Sequence, residues 1–207
     1  MRKGFGICCI VLGIGCLIAS LGLIVCNYWE AEKAQVASMN ILQDVRGNML
    51  EDTHAESNRN ESVEIPGNAP REMPTAQVDG DDCIGVLSIP ALELELPVLT
   101  DWSYTKLKIA PCHYFGSYYE KDFVIAAHNY QSHFGRLSEL HPKDLILFTD
   151  IFGKVYYYEV VLLETLSGDA TEEMISSGFD LSLYTCTPGG ANRITVRCKK
   201  MMAENAI

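Results

Sequence analysis

Apolar residues fall into two textures along this chain. From Gly4 to Cys26 they run without a single charge. From Ile84 onward they come in short bursts broken by Gly, Pro, Asn and Asp. The first texture predicts a membrane-crossing helix. As a helix, that run would span about 35 Å, enough for the hydrocarbon core of a bilayer. Arg2 and Lys3 precede it, and Tyr28 and Trp29 come after it at the level where interfacial aromatics sit. The positive flank predicts an N-terminus inside and the bulk of the chain outside. A cleaved signal peptide would show a shorter apolar core and a small-x-small site, which Ile24-Val25-Cys26-Asn27 lacks. A lipoprotein signal would need a small residue before its cysteine, and Val25 stands there. An uncleaved single-pass anchor over residues 1–27 is therefore expected.

Residues 30–50 extend the helical signal, with Val36, Met39, Leu42 and Val45 at i, i+3 spacing. Residues 51–82 are polar, acidic and Pro-containing, and offer too little apolar surface to order themselves. The whole of 28–82 reads as a stalk that, as a coil, would lift the outer domain by roughly 40 Å. That domain is expected over 83–207.

The second texture predicts strands at 84–89, 94–99, 123–127, 145–149, 154–163, 181–186 and 193–198. A short helix is expected near 102–109 and a turn of helix near 134–140. Many short strands with few helices give a mainly β fold, a closed or nearly closed β-barrel. No repeat or low-complexity run is visible.

Charge changes the picture only for the stalk. The net charge is −11, and residues 28–82 carry 12 acidic against 4 basic side chains. The excess marks a solvated spacer, and no basic patch suggests nucleic acid. The eight cysteines divide by position. Cys8, Cys9, Cys16 and Cys26 lie in the apolar run, where cysteine acts as a small apolar residue. Cys83, Cys112, Cys186 and Cys198 lie in the outer domain.

Cys186 ends an apolar β-branched run, Leu183-Tyr184-Thr185-Cys186. A Pro188-Gly189-Gly190 turn comes next, and Arg193 opens a second alternating run to Arg197. Pairing around the turn sets Cys186 opposite Arg193 and Arg197 opposite Ser182. Alternation places Tyr184, Cys186, Arg193, Thr195 and Arg197 on a polar face. Leu181, Leu183, Ile194, Val196 and Cys198 fall on the core face. A thiol beside a guanidinium on a polar face is placed to react. The strand Phe123–Ala127 delivers His128 at its C-terminal end, a group able to carry a proton near neutral pH.

Ala127-His128-Asn129 at one strand end, Thr185-Cys186 at another and Arg193 just after it resemble the pattern of the sortases. These are cysteine transpeptidases of Gram-positive cell surfaces. Ile84–Pro90 followed by Leu94–Val98 is similar to the first two strands of a sortase domain, and Phe134–Leu140 to the segment after the family's histidine. The resemblance covers about residues 82–200.

It implies a sortase-like barrel with Cys186 as nucleophile, His128 as general acid/base and Arg193 as oxyanion or substrate-holding group. Thr185 would line the oxyanion site. The implied substrates are surface proteins with a Leu-Pro-x-Thr-Gly-type sorting signal. The implied acceptor is an amine of a peptidoglycan precursor or a pilin. A housekeeping-like or class D-like enzyme is expected, because 164–180 is short for the type with a long helical insert there. The chain ends nine residues after Cys198, so no C-terminal anchor is expected. A peptidase without transfer and a catalytically silent binding module are the alternatives. No cofactor is indicated. Cys112, His113, His128, Cys186 and Cys198 lack zinc-type spacing. Calcium held by Glu164, Asp169, Glu172 and Glu173 is possible but not indicated. His113, His133 and His141 receive no role.

Overall fold

The computed structural model describes residues 2–55 and 72–202. The chain opens with one unbroken helix, α1 (Arg2–Ala55), and continues with β1 (Ala76–Val78), β2 (Asp81–Ile89), β3 (Leu94–Leu99), β4 (Cys112–Phe115) and β5 (Phe123–Ala126). Then come β6 (Leu145–Asp150), β7 (Val155–Ser167), a short α2 (Thr171–Ile175), β8 (Leu181–Cys186) and β9 (Asn192–Lys200). Single 3-10 turns at Lys106–Lys108 and Leu137–Glu139 stand where a short helix and a helical turn were expected.

The strand order is β1-β2-β3-β4-β5-β8-β9-β7-β6, and β2 pairs back onto β6. Eight strands thus close into a barrel, with β1 added to β2. Closure depends on Gly85, where β2 carries an irregularity and meets Asp150 of β6. A Cβ there would stand 2.2 Å from the Thr149 carbonyl oxygen, so no larger residue lets β2 and β6 approach.

The barrel interior is filled by alternate residues of the expected strands, among them Leu87, Ile125, Leu181, Leu183 and Val196. Tyr118 packs edge-on against Phe123 and beside Phe148, with ring centroids 5.8 and 5.0 Å apart. Truncating such a buried ring costs about 3–5 kcal/mol.

A second apolar layer lies outside the barrel. Ile41, Leu42 and Val45 of α1 pack with Val78, Leu99, Leu107 and Ala110, and Val124, Ala126, Met174 and Tyr184 complete the layer. This explains why Phe123–Ala126 is apolar throughout instead of alternating: both faces of β5 are covered. It also corrects the expected polar face of the β8–β9 hairpin. Tyr184, Thr195 and Arg197 do share a face with Cys186, but all three are buried. Only the rim of that face is open.

The apolar first part of α1 is long enough to cross a membrane, and none of its described side chains is buried against the protein. Beyond it, the helix does not form a free stalk. Ala34, Ser38, Ile41, Leu42 and Val45 are buried on the barrel. Of the four apolar residues at i, i+3 spacing, Leu42 and Val45 face the barrel, while Val36 and Met39 are 55% and 54% exposed. Packing therefore reaches N-terminal of residue 83, which itself falls inside β2. The part of the expected linker over 56–71 lies outside the described residues.

Candidate active site

β5 and β8 are parallel neighbours, in register from Phe123↔Leu181 to Ala126↔Tyr184. Parallel strands finish at the same edge. The Ala127 N–H still donates to the Tyr184 carbonyl at 3.2 Å, which carries the register past the strand end. His128 then falls level with Cys186, one strand spacing of about 4.8 Å away. On the other side of β8, Cys186 pairs directly with Arg193 of β9, and Arg197 pairs with Ser182. His128, Cys186 and Arg193 thus form one row across three adjacent strand ends. The hairpin register read from the sequence is the one observed.

The histidine end of the row is set by a tight loop. The Phe134 N–H donates to the His128 carbonyl at 3.2 Å, and the Gly135 N–H to the Tyr130 carbonyl at 2.8 Å. A Cβ on Gly135 would come within 2.6 Å of the Asn129 carbonyl oxygen, so glycine is required for the loop to fold back. The loop lays the Tyr130 ring flat on the His128 imidazole, with centroids 3.9 Å apart and planes 18° from parallel. Burial holds the His128 pKa below its ordinary value, and the Lys108 ammonium pushes the same way. Glu30 and a hydrogen bond with Asn129 oppose them. The imidazole is therefore neutral near pH 7, the form that accepts a proton.

At the other end, the Arg193 guanidinium donates through Nη1 to the carbonyls of Gly190 and Asn192, at 2.8 and 3.1 Å. Both acceptors belong to the turn, and no ion pair with a carboxylate is present among the described residues. Its charge stays available to an incoming group. Thr187 closes the turn, accepting the Asn192 N–H on Oγ1 at 3.1 Å. Thr185 points into the barrel by alternation. Its Oγ1 donates to the Ala127 carbonyl at 2.9 Å, so its hydroxyl ties the cysteine strand to the histidine strand. Only the Thr185 backbone borders the row.

Beside Arg193 lies a cleft of about 230 Å³. Trp102, Tyr104, Tyr114 and Tyr184 line one wall, and the segment Ser167–Met174 lines the other. Trp102 meets Tyr114 edge-on at 5.8 Å, and Tyr114 meets Tyr184 at 5.4 Å. The cleft runs up to Arg193, at one end of the row.

The other thiols of the outer domain are buried. Burial pushes Cys83 up to about 11 and Cys112 up to about 12, and raises Cys198 as well. All are free. Cys83 and Cys112 flank Leu99 on neighbouring strands. They are thus two strand spacings apart, roughly 10 Å and beyond disulfide reach. Cys198 lies inside the barrel. Of the acidic loop residues, Glu164 is engaged with Arg197 at 2.7 Å, and Asp169 accepts from Ser167. Among the described residues, no three His, Cys, Asp or Glu side chains gather as a metal site.

The sequence pattern that defines the sortase domain matches residues 87–201. The chain belongs to the sortase family. Solved sortases share the fold. A Clostridium perfringens sortase D5 superposes with a TM-score of 0.55 at 20% identity, covering 77% of this chain and 99% of that one. Sortase A of Corynebacterium diphtheriae gives 0.53 at 21% identity, covering 59% and 62%. Sortase C1 of Streptococcus suis gives 0.50 at 27%, covering 59% and 75%. The chain thus spans under two thirds of the diphtherial enzyme's length. Among proteins of curated function, none matches the chain significantly in sequence.

Two features of this sortase domain were not read from the sequence. One is Tyr130 against the histidine. Its position two residues after His128, in a turn closed by a glycine, was the available signal. The other is the aromatic wall. Trp102, Tyr104 and Tyr114 lie in or beside irregular segments, and nothing in their spacing ties them to Tyr184.

Proposed function

We propose that this sortase is a membrane-anchored cysteine transpeptidase, with its catalytic domain outside the cell. The observation that carries the reading is the His128–Cys186–Arg193 row at the end of an open cleft. Neutral His128 accepts the proton of the Cys186 thiol as sulfur attacks the substrate carbonyl. Arg193 offers its charge and N–H groups to the oxygen on which negative charge develops. The imidazolium returns its proton to the departing amine, and a thioester remains on Cys186. An incoming amine then attacks the thioester, gives a proton to His128, and leaves with the acyl group as a new amide. Cys186 departs as thiolate and recovers the proton. Thr185 acts through position, holding the two strands together.

The substrate is a Leu-Pro-x-Thr-Gly-type sorting signal, and the acceptor an amine of a cell-wall precursor or pilin, as the family resemblance implies. The cleft beside Arg193 supports an extended peptide lying against Tyr184 and Tyr114. The test is incubation of the full chain with a panel of sorting peptides, with and without an added amine, read by mass spectrometry. The expected result is an acyl adduct on Cys186 and an amide product when amine is present. Free acid as the sole product at saturating amine would make the protein a peptidase.

A further inference from the structure

Helix α1 is continuous from Arg2 to Ala55, and residues 23–46 contain neither glycine nor proline. Nothing of the kind that usually kinks a helix separates the apolar part from the docked part. Docking begins almost at once. The Tyr130 hydroxyl donates to Glu30 Oε2 at 3.4 Å, and the Ser132 hydroxyl to the Ala31 carbonyl at 3.5 Å. Lys108 Nζ stands 3.9 Å from the same Glu30 oxygen. Buried Ala34, Ser38, Ile41 and Val45 then fix the helix against the barrel over three turns, and Arg46 pairs with Glu95 at the far end.

The apolar run ends at Cys26. Four residues of helix from there to Glu30 rise about 6 Å, which is the depth of a headgroup layer. Tyr28 and Trp29 between them are exposed on the helix, as interfacial aromatics are. The loop that carries His128 therefore meets the helix at headgroup height, and His128 is one stacked ring away.

We propose that α1 is a rigid post of fixed length. It holds the catalytic row within roughly 15 Å of the hydrocarbon edge and matches the enzyme to substrates presented by the same membrane at that height. This rests on the anchor and transpeptidase readings above.

The test inserts seven helix-forming residues between Asn27 and Tyr28 of the full chain in liposomes. Two turns lift the domain by about 10 Å and nearly preserve its rotation. Turnover is measured on a soluble sorting peptide and on the same peptide fused by a short linker to a membrane-spanning helix. The expected result is unchanged turnover of the soluble peptide and at least a tenfold loss on the membrane-borne one. Lengthening the substrate's own linker by the same distance should restore that loss. Equal turnover of the membrane-borne substrate by both enzymes overturns the proposal. A second readout needs no activity. A dye on Gln131→Cys, with Cys186 and the helix cysteines Cys8, Cys9, Cys16 and Cys26 replaced by Ser, should be quenched by lipids carrying a nitroxide headgroup, and the insertion should relieve the quenching. A dye that is never quenched overturns the proposal even if the unlabelled wild-type chain turns over both substrates. Quenching without cleavage of either substrate leaves the height standing and removes the transpeptidase reading.

Discussion

The outer domain holds two sets of the same three residue types, and they have opposite fates. At the rim stand Cys186, His128 and Arg193. Behind it stand Cys198, His133 and Arg197, all buried. Arg193 and Arg197 even share a strand and a face. Arg197 donates to Glu164, to Ser182 Oγ at 2.8 Å and to the Glu173 carbonyl at 2.7 Å. It pins α2 and β7 to the hairpin, and each nitrogen of its guanidinium has a partner. Arg193 is held only by its own turn. Residue type names a possible chemistry; burial and prior partners decide whether it is still available.

The comparison is easiest to break at sulfur. Cys186→Ala should abolish acyl-adduct formation, while Cys198→Ala should lose stability and keep turnover per folded molecule. Activity that survives the first and vanishes in the second would exchange the two sets. His128→Ala should lower turnover by about 10² to 10⁴-fold, the usual share of general acid/base catalysis. A loss of only a few-fold would show that another group carries the proton.

The arginines sharpen the contrast, because each variant should fail in a different assay. Arg193→Ala should reduce turnover by about 10² to 10³-fold with an unchanged Tm, as expected for an oxyanion donor. Arg193→Lys should recover little, since an ammonium lacks the fork. Arg197→Ala leaves Glu164, Ser182 and the Glu173 and Met174 carbonyls short of a donor, so it should cost about 3 kcal/mol of stability. Thermal unfolding and turnover of both variants provide the check. Parallel losses in both assays would erase the distinction.

The histidines give the smallest effect. Burial lowers the His133 pKa from 6.5 to about 4. Below pH 6.5 the unfolded chain takes up a proton that the folded chain refuses. Stability present above 6.5 is therefore lost as pH falls toward 4, by about 2 kcal/mol at pH 5. His133→Phe should flatten that part of the Tm-against-pH curve. A curve of unchanged slope would place the titration elsewhere.

Much of this was legible in the sequence because strands announce themselves locally. The runs at 94–99, 145–149 and 181–186 fall on β3, β6 and β8 with end shifts of a residue or less. The turn Pro188-Gly189-Gly190 was enough to set the register between Cys186 and Arg193. What escaped depends on distant partners. β4 is four residues long with a histidine and a tyrosine in it, so its alternation carries no signal until β5 pairs with it. The helix over 30–50 was legible but its buried face was not, because Val36 and Met39 satisfy helical spacing as well as Ser38 and Ile41 do. Only the barrel surface chooses between them. The segment before β8 is shorter than expected, because β7 continues to Ser167 by pairing with β9 down to Asn192.

The parallel pairing of β5 and β8 has a consequence for how this domain tolerates change in length. The two candidate side chains arrive by chain direction, and residues 129–180, between the end of one strand and the start of the other, are a detour that returns to the same edge. Residues added at the surface turns of that detour, such as Phe152–Gly153, leave His128 and Cys186 level. One residue removed from Leu181–Thr185 does the opposite. The strand's parity inverts, the thiol turns into the barrel, and a threonine is delivered to the rim. Reactivity here is counted in whole pairs of strand residues, while the detour can grow at little cost.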